Sequence, residues 1–431
     1  MESTARHRTW IAGLLLLALL VRSGVYIGLV DSTSNQDPDS YYAIAVNLVD
    51  QGTYSLGSDP TAFRPPIYPL LLAVGYFLGL SQVVWVGILH TTLGILTLFI
   101  TFRLAKLCTN QTVAVLATLL LIFDPILLHQ SSLTMTETTA TFLGVLALWQ
   151  WIRVQRDANL SNIICAGGAL AMAGLCRPTF FVFAALALVC MLLRGRDNFY
   201  QRLRVTLLIG CCIIVVISPW VIRNQISLGK PIIATTHGGY TLLLGNNQLY
   251  YQHLDQPTSF YQATYFDTGV RRFNISENPG FDFWGPLAAQ HPKVITRNEW
   301  ERDHFSYQVA WYHIQQQPQQ FARAALVRIG KLWSPLPQQL TPQESAITFI
   351  LRFAVALWYL LLYAIVFWFS VKYGAKWVRN PLHVGILMIL AFSLVHAFYW
   401  SDMRMRAPLM PILYLVAAMA LAKPASADAK P

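Results

Sequence analysis

Residues 64–80 read RPPIYPLLLAVGYFLGL, and whether this stretch crosses a bilayer decides the fold. It is apolar from Ile67 onward but shorter than the roughly 20 residues a helix needs to span the hydrocarbon layer. The prolines ahead of it suit a helix start, where the missing N–H costs nothing. Working outward, further apolar runs fall at about 10–30, 83–102, 111–128, 138–152, 160–176, 178–193, 205–222, 347–371, 382–400 and 407–422. If 67–80 does not cross, Arg103, Lys106, Arg153, Arg156, the Arg194–Arg204 cluster, Lys372, Lys376 and Arg379 share one side. The polar segments 31–82, 129–137, 223–346 and 401–406 then share the other. If it does cross, the basic loops end up outside, against the preference of Lys and Arg for the cytoplasmic side. The first arrangement is therefore expected: about ten spans, both termini cytoplasmic, and 67–80 lying along the membrane or re-entering it.

Composition supports a polytopic membrane protein. Hydrophobic residues make up 55% of the 431 and charged ones only 12%, against about 25% charged in a soluble domain. The net charge of +11 would suit nucleic acid, but the Lys and Arg sit in short loops between apolar runs and no basic-aromatic module accompanies them, so no nucleic-acid partner is expected. Cys108, Cys165, Cys176, Cys190, Cys211 and Cys212 lie in or beside apolar runs, with no metal spacing and no disulfide framework. Arg6 and Arg8 before an apolar stretch resemble a signal peptide, but Arg22 follows, no small-x-small cleavage site is evident and apolar residues resume to Val30, which indicates a retained signal anchor.

The chain divides into 1–222, a transmembrane catalytic module with its first external loop at 31–82; 223–346, an external region; 347–422, C-terminal transmembrane helices; and 423–431, a disordered cytoplasmic tail. The run Thr241–Leu244 reads as a strand and Trp300–Ile314 as a helix, so the external region is expected to be small and mixed α/β. Asn274-Ile275-Ser276 fits a glycosylation sequon and carries no weight.

This arrangement gathers Asp37, Asp39, Arg64, Glu137, Arg177, Asp402, Arg404 and Arg406 on one face. Carboxylates at the mouth of a bilayer are costly and usually functional. Ser40 or Asp39 can cap a helix over Tyr41–Val49. Asp37, two residues earlier, has no such duty and is the expected general base, positioned to take a proton from an acceptor hydroxyl. Arg64 and Arg177 each precede a proline at the external end of an apolar run. Snorkelling explains either alone; together they suit a phosphate at the interface, because Arg binds phosphate bidentately and keeps its charge. Glu137 suits the first turn of a helix, and a carboxylate there can also hold an acceptor or orient Arg64. Arg404 and Arg406 lie on the side where topology does not call for them, so neutralising a phosphate leaving group is their expected role.

Several motifs recur in order along the chain. They are Asp37 through Tyr41, Tyr42 and Ala45 to Gly52; Arg64-Pro65-Pro66 with Tyr68-Pro69; Thr136-Glu137-Thr138; Arg177-Pro178; Pro219-Trp220 with Arg223-Asn224; Gly238-Gly239-Tyr240 to Gly245-Asn246-Asn247; and Asp402-x-Arg404-x-Arg406-x-Pro408. The set resembles the GT-C membrane glycosyltransferases of the protein O-mannosyltransferase and lipid A aminoarabinose transferase type. The nearest resemblance is to bacterial relatives of the dolichyl-phosphate-mannose–protein mannosyltransferases, and it covers nearly the whole chain.

The resemblance implies an all-α polytopic GT-C fold that moves a sugar from a polyprenyl-phosphate carrier to a protein, lipid or glycan acceptor on the periplasmic side of a bacterial inner membrane, with inversion. It also implies an Asp of the first external loop as base: Asp37, with Asp39 the alternate, because Pro38 interrupts the family's usual Asp-Glu pair. Arg64 and Arg177 match carrier-phosphate positions, and Glu137 matches an acidic residue of the second external loop. Tyr41, Tyr42, Tyr68, Asn246, Asn247 and Asp402 complete the candidate substrate contacts.

No residue cluster demands a metal, and a divalent ion is left open. A hydrolase would need a paired acid and base. The competing reading, a transporter or flippase for a lipid-linked sugar, would call for inverted repeats and charges near the bilayer midplane; the sequence shows neither.

Overall fold

A computed structural model describes residues 2–33, 36–194, 198–255, 298–338, 344–374 and 382–422. The tail 423–431, the sequon at 274–276 and the topological cations Lys376 and Arg379 lie outside the described residues.

The apolar runs become helices. In chain order they are Glu2–Thr33, Ile67–Phe77, Gln82–Cys108, Gln111–Ile122 with Pro125–Gln130, Glu137–Arg156, Leu160–Cys176, Thr179–Arg194, Phe199–Leu228, Ala346–Tyr373, His383–Phe398 and Met410–Leu421. Among the described residues, five stretches are long and apolar enough to cross a membrane: Trp10–Leu29, Gln82–Cys108, Phe199–Leu228, Ala346–Tyr373 and Met403–Leu421. The chain is thus a multi-pass membrane protein. Ile67–Phe77 has 11 residues, about 16 Å of helix at 1.5 Å per residue, which is half a hydrocarbon layer.

The bundle packs around buried side chains such as Trp151, Phe180 and Phe392, with close backbone approach at particular contacts. Helix Glu137–Arg156 lies against Leu160–Cys176 and Gln82–Cys108, and Leu160–Cys176 also packs on Phe199–Leu228. At the last contact a side chain on Gly167 would reach 2.5 Å from the Cys212 Cβ and 3.1 Å from the Ile209 carbonyl. Small residues serve this purpose between membrane helices, where lipid is as apolar as the partner helix.

The two ends of the bundle differ. At one, Arg156 donates to the Leu107 carbonyl and Gln155 meets His383 at 3.3 Å, so loops rich in cations come together. At the other end, the polar segments meet: the first loop, the start of Glu137–Arg156, Arg177, the region beyond Leu228 and the turn Met403–Leu409.

The region beyond Leu228 corrects one expectation. Thr241–Leu244 is not a strand but lies within the helix Gly238–Gly245. The neighbours Leu242 and Leu243 are both buried, whereas a strand alternates its faces. Helices Gln248–Asp255, Glu299–Gln316 and Pro318–Leu332 complete the described part of 223–346. Among the described residues the only strands are Ser55–Leu56 and Asp59–Pro60, a hairpin inside the first loop.

Candidate active site

The first loop is built around an unusual turn. Ser40 adopts left-handed backbone, φ 60°, a conformation that costs a non-glycine residue about 1–2 kcal/mol and marks functional segments. The turn folds Asp37 back over the start of helix Tyr41–Gln51. There its Oδ2 accepts from the Tyr42 and Ala43 backbone N–H groups at 2.9 and 3.0 Å. Asp37 therefore caps the helix, which reverses the expectation that Asp39 or Ser40 would do so; Ser40 makes no capping bond. Asp39 turns instead to Arg64, whose Nη2 meets its Oδ1 at 2.9 Å while Nε donates to its carbonyl at 2.8 Å. The other oxygen of Asp37, Oδ1, is buried without a hydrogen-bond partner. Burial raises the Asp37 carboxyl above the ordinary carboxylate value, against the stabilising backbone N–H groups of Ala43, Tyr41 and Tyr42.

Arg64 is buried between two rings, 5.2 Å from the Tyr41 centroid and 4.8 Å from that of Phe63. Tyr68 supports this stack from below. Its ring meets Tyr41 edge-on at 5.2 Å, and its hydroxyl lies 3.0 Å from His90 Nε2. Tyr68 is thus fully buried beneath the site, and Tyr42 packs edge-on against Tyr76 at 6.1 Å.

Glu137 opens its helix at the same end. Its Oε1 meets Arg177 Nη2 at 3.1 Å and Arg404 Nη1 at 3.4 Å. Arg177 also donates toward Met405 Sδ at 2.9 Å. Glu137 Oε2 and Arg177 Nη1 are buried without partners. Asp39 and Tyr41 lie within electrostatic reach of Arg404 as well. The structure therefore gathers Asp37, Asp39, Tyr41, Arg64, Glu137, Arg177 and Arg404 into one cluster of alternating charge. Asp402 caps the turn Met403–Leu409 beside it, accepting from the Arg404 N–H at 3.4 Å.

Three candidates are occupied elsewhere. Arg406 is fully buried; its Nη1 donates to the Leu332 and Ser334 carbonyls at 2.7 and 2.6 Å, and its guanidinium lies 4.6 Å from the Tyr359 ring. Asn246 donates to the Leu242 and Phe398 carbonyls at 2.7 and 2.8 Å, and Asn247 accepts from the Tyr250 N–H at 2.8 Å. These side chains satisfy backbone groups at helix ends, which is where exposed carbonyls and N–H groups need partners.

Sequence reading missed a clamp on the Arg64 loop. Glu299 Oε1 accepts from the Ala62 N–H at 2.8 Å and from Thr236 Oγ1, while Oε2 accepts from Thr61 Oγ1 at 2.5 Å. Arg223 donates to the Thr61 carbonyl at 2.7 Å and to that of Tyr54, and the Tyr54 hydroxyl donates to the Arg64 carbonyl at 2.9 Å. Most of these contacts join positions more than 150 residues apart and leave no local pattern; the Pro219–Asn224 motif was the one signal, since it contains Arg223. Also missed was His237, whose ring meets Phe63 at 4.4 Å and Tyr240 at 5.2 Å. Among the described residues no group of three or more His, Cys, Asp or Glu is placed to hold a metal.

Membrane helices in this order, with the polar segments gathered at one end around a first loop and a second helical region, form a fold shared with solved oligosaccharyltransferase structures. Residues 63–222 match the family described as dolichyl-phosphate-mannose-protein mannosyltransferase. Among solved structures, the archaeal oligosaccharyltransferase AglB of Archaeoglobus fulgidus, in complex with an inhibitory peptide and a dolichol-phosphate, superposes with a TM-score of 0.54 at 14% identity over 96% of this chain and 50% of that one. An oligosaccharyltransferase of Archaeoglobus fulgidus tethered with an acceptor peptide gives 0.53 at 13% identity over 96% and 49%. ArnT of Cupriavidus metallidurans bound to undecaprenyl phosphate gives 0.44 at 15% over 96% and 78%. The chain spans about half the length of the oligosaccharyltransferase chains it matches. No curated protein matches its sequence.

Proposed function

We propose that this protein is an inverting glycosyltransferase that moves a sugar from a polyprenyl-phosphate carrier to a protein, lipid or glycan acceptor on the external face of a bacterial inner membrane. The observation that carries this reading is the convergence of Arg64, Arg177 and Arg404 with three carboxylates at one end of the bundle. A lipid phosphate at that level meets permanent cations, and Arg177 Nη1 has unspent hydrogen-bonding capacity.

In the reaction, Asp37 Oδ1 takes the proton of an acceptor hydroxyl. The acceptor oxygen attacks the anomeric carbon, the bond from that carbon to the phosphate oxygen breaks, and its electron pair leaves on the phosphate. The leaving group departs as an anion, so cations serve it better than an acid would. The capping bonds fix the Asp37 carboxylate with one oxygen unoccupied, which suits a base. Asp39 holds Arg64 in position and is the alternate base. The match of residues 63–222 to the mannosyltransferase family supports the donor class.

The test is mass spectrometry of envelope glycans and glycoproteins from a deletion strain. One sugar should disappear, return with the wild-type gene, and stay absent with Asp37→Asn. An unchanged envelope, or full restoration by a variant lacking both Asp37 and Asp39, would refute the reading.

A further inference from the structure

Beside Arg64, on the side of the region beyond Leu228, stand two polar rings, His237 and Tyr240. His237 contacts Phe63, the same ring that packs on Arg64, and Tyr240 lies beyond it. Both rings are within electrostatic reach of Arg64. Their backbone is held firmly. The Gly239 N–H donates to Asp303 Oδ1 at 2.7 Å, and Gly239 has no room for a side chain, since a Cβ would lie 2.1 Å from the Asp303 carbonyl. The Thr236 N–H donates to the Ala62 carbonyl at 3.0 Å, tying this segment to the Arg64 loop. So the segment that carries the two rings is held to the Arg64 loop.

His237 Nδ1 is buried and has no hydrogen-bond partner. An unpaired buried polar atom is costly and calls for an explanation. Burial, with the Arg64 charge second, holds its imidazole well below the usual histidine value, so it is neutral at physiological pH. A neutral imidazole offers one donor and one acceptor, and a phenol also donates and accepts. Such a pair matches hydroxyl groups, which both donate and accept, and brings no further positive charge for a second phosphate.

We propose that His237 and Tyr240 form the sugar subsite of the donor, recognising hydroxyls of a neutral hexose next to the phosphate held by Arg64. This rests on the reading above. A sugar joined to that phosphate through one oxygen must lie beside Arg64, and His237 packs on the Phe63 ring that Arg64 also contacts, with Tyr240 next to it on the side of the external region.

The test uses purified full-length protein in nanodiscs with two probes, undecaprenyl phosphate and a panel of undecaprenyl-phosphate hexoses. Wild type should bind the best hexose-bearing carrier more tightly than the bare phosphate. His237→Ala and Tyr240→Phe should each shrink that preference by about tenfold, the size of one lost hydrogen bond, with bare-phosphate affinity unchanged. A preference left intact in both variants overturns the subsite but not the enzyme. Failure of wild type to bind either probe overturns both. His237→Gln, which keeps a donor and an acceptor, should retain part of the preference; if it behaves as Ala while melting like wild type, the hydrogen-bonding role is wrong.

Discussion

Arg404 and Arg406 stand two residues apart in one short turn, and they live in different surroundings. Arg404 is about a quarter exposed, reaches Glu137 at 3.4 Å and shares it with Arg177. Arg406 is sealed within the protein, spends Nη1 on the ends of helix Pro318–Leu332 and lies on the Tyr359 ring. Tyr359 in turn donates to Asp124, a buried carboxylate that also takes the Tyr414 hydroxyl at 2.8 Å and the Leu127 N–H at 2.7 Å. One arginine faces a cluster of charged groups, and the other, held at Nη1 by two carbonyls and stacked on a ring while its Nε and Nη2 stay unpartnered, is a strut that fixes the turn carrying it. Charge in an unexpected place is therefore evidence of a duty; its partners decide which one.

The comparison can be broken most forcefully at Arg406. Arg406→Gln removes two charge-assisted bonds to buried carbonyls, each worth about 1.5–3 kcal/mol, and should lower the melting temperature in detergent sharply and cut the yield of monodisperse protein. Arg404→Gln should melt close to wild type but lose about 10²-fold in kcat, the size of effect seen when one donor to a developing anion is removed. If both variants failed by unfolding, or both by activity alone, the distinction would be void.

Glu299→Gln sharpens the comparison from outside the cluster. The amide keeps one acceptor oxygen but loses charge at a group that takes three hydrogen bonds. Because these bonds seat the Arg64 loop, KM for the lipid donor should rise about tenfold while kcat changes less, measured by steady-state kinetics.

A smaller effect is pH dependence. Burial raises the Asp37 carboxyl, and in the proposed reaction the carboxylate is the active form, so activity should fall on the acid side at a higher pH than an exposed aspartate would give. The folded state holds this proton more tightly than the unfolded chain. Asp37 therefore costs stability as pH rises from the unfolded value through the folded one. Asp37→Asn removes that slope yet still caps the helix, since Asn caps as well as Asp. Thermal melts of the two proteins across the acid range should converge at low pH and separate above it.

Much of this was legible in the chain. Apolar length gave the helices, the asymmetry of Lys and Arg sorted the loops, and that sorting brought Arg64, Glu137, Arg177 and Arg404 to one end. Individual partners were not legible. The capping duty expected of Asp39 or Ser40 falls to Asp37 because a left-handed Ser40 turns the chain between these residues and helix Tyr41–Gln51, and a serine in that conformation has no sequence signature. Tyr68, Asn246, Asn247 and Arg406 are buried polar groups whose partners are mostly backbone groups. Thr241–Leu244 looked like a strand because it is short, apolar and β-branched at its start, and only its packing on helix Glu299–Gln316 decides otherwise.

The central claim meets its most direct test in the release of undecaprenyl phosphate from an undecaprenyl-phosphate hexose by reconstituted protein with an acceptor extract, comparing wild type with Asp37→Asn. The account predicts that both bind the carrier equally while the variant turns over about 10²–10⁴-fold more slowly, the usual contribution of a positioned base. Turnover by Asp37→Asn at the wild-type rate, in protein that melts like wild type, would contradict it.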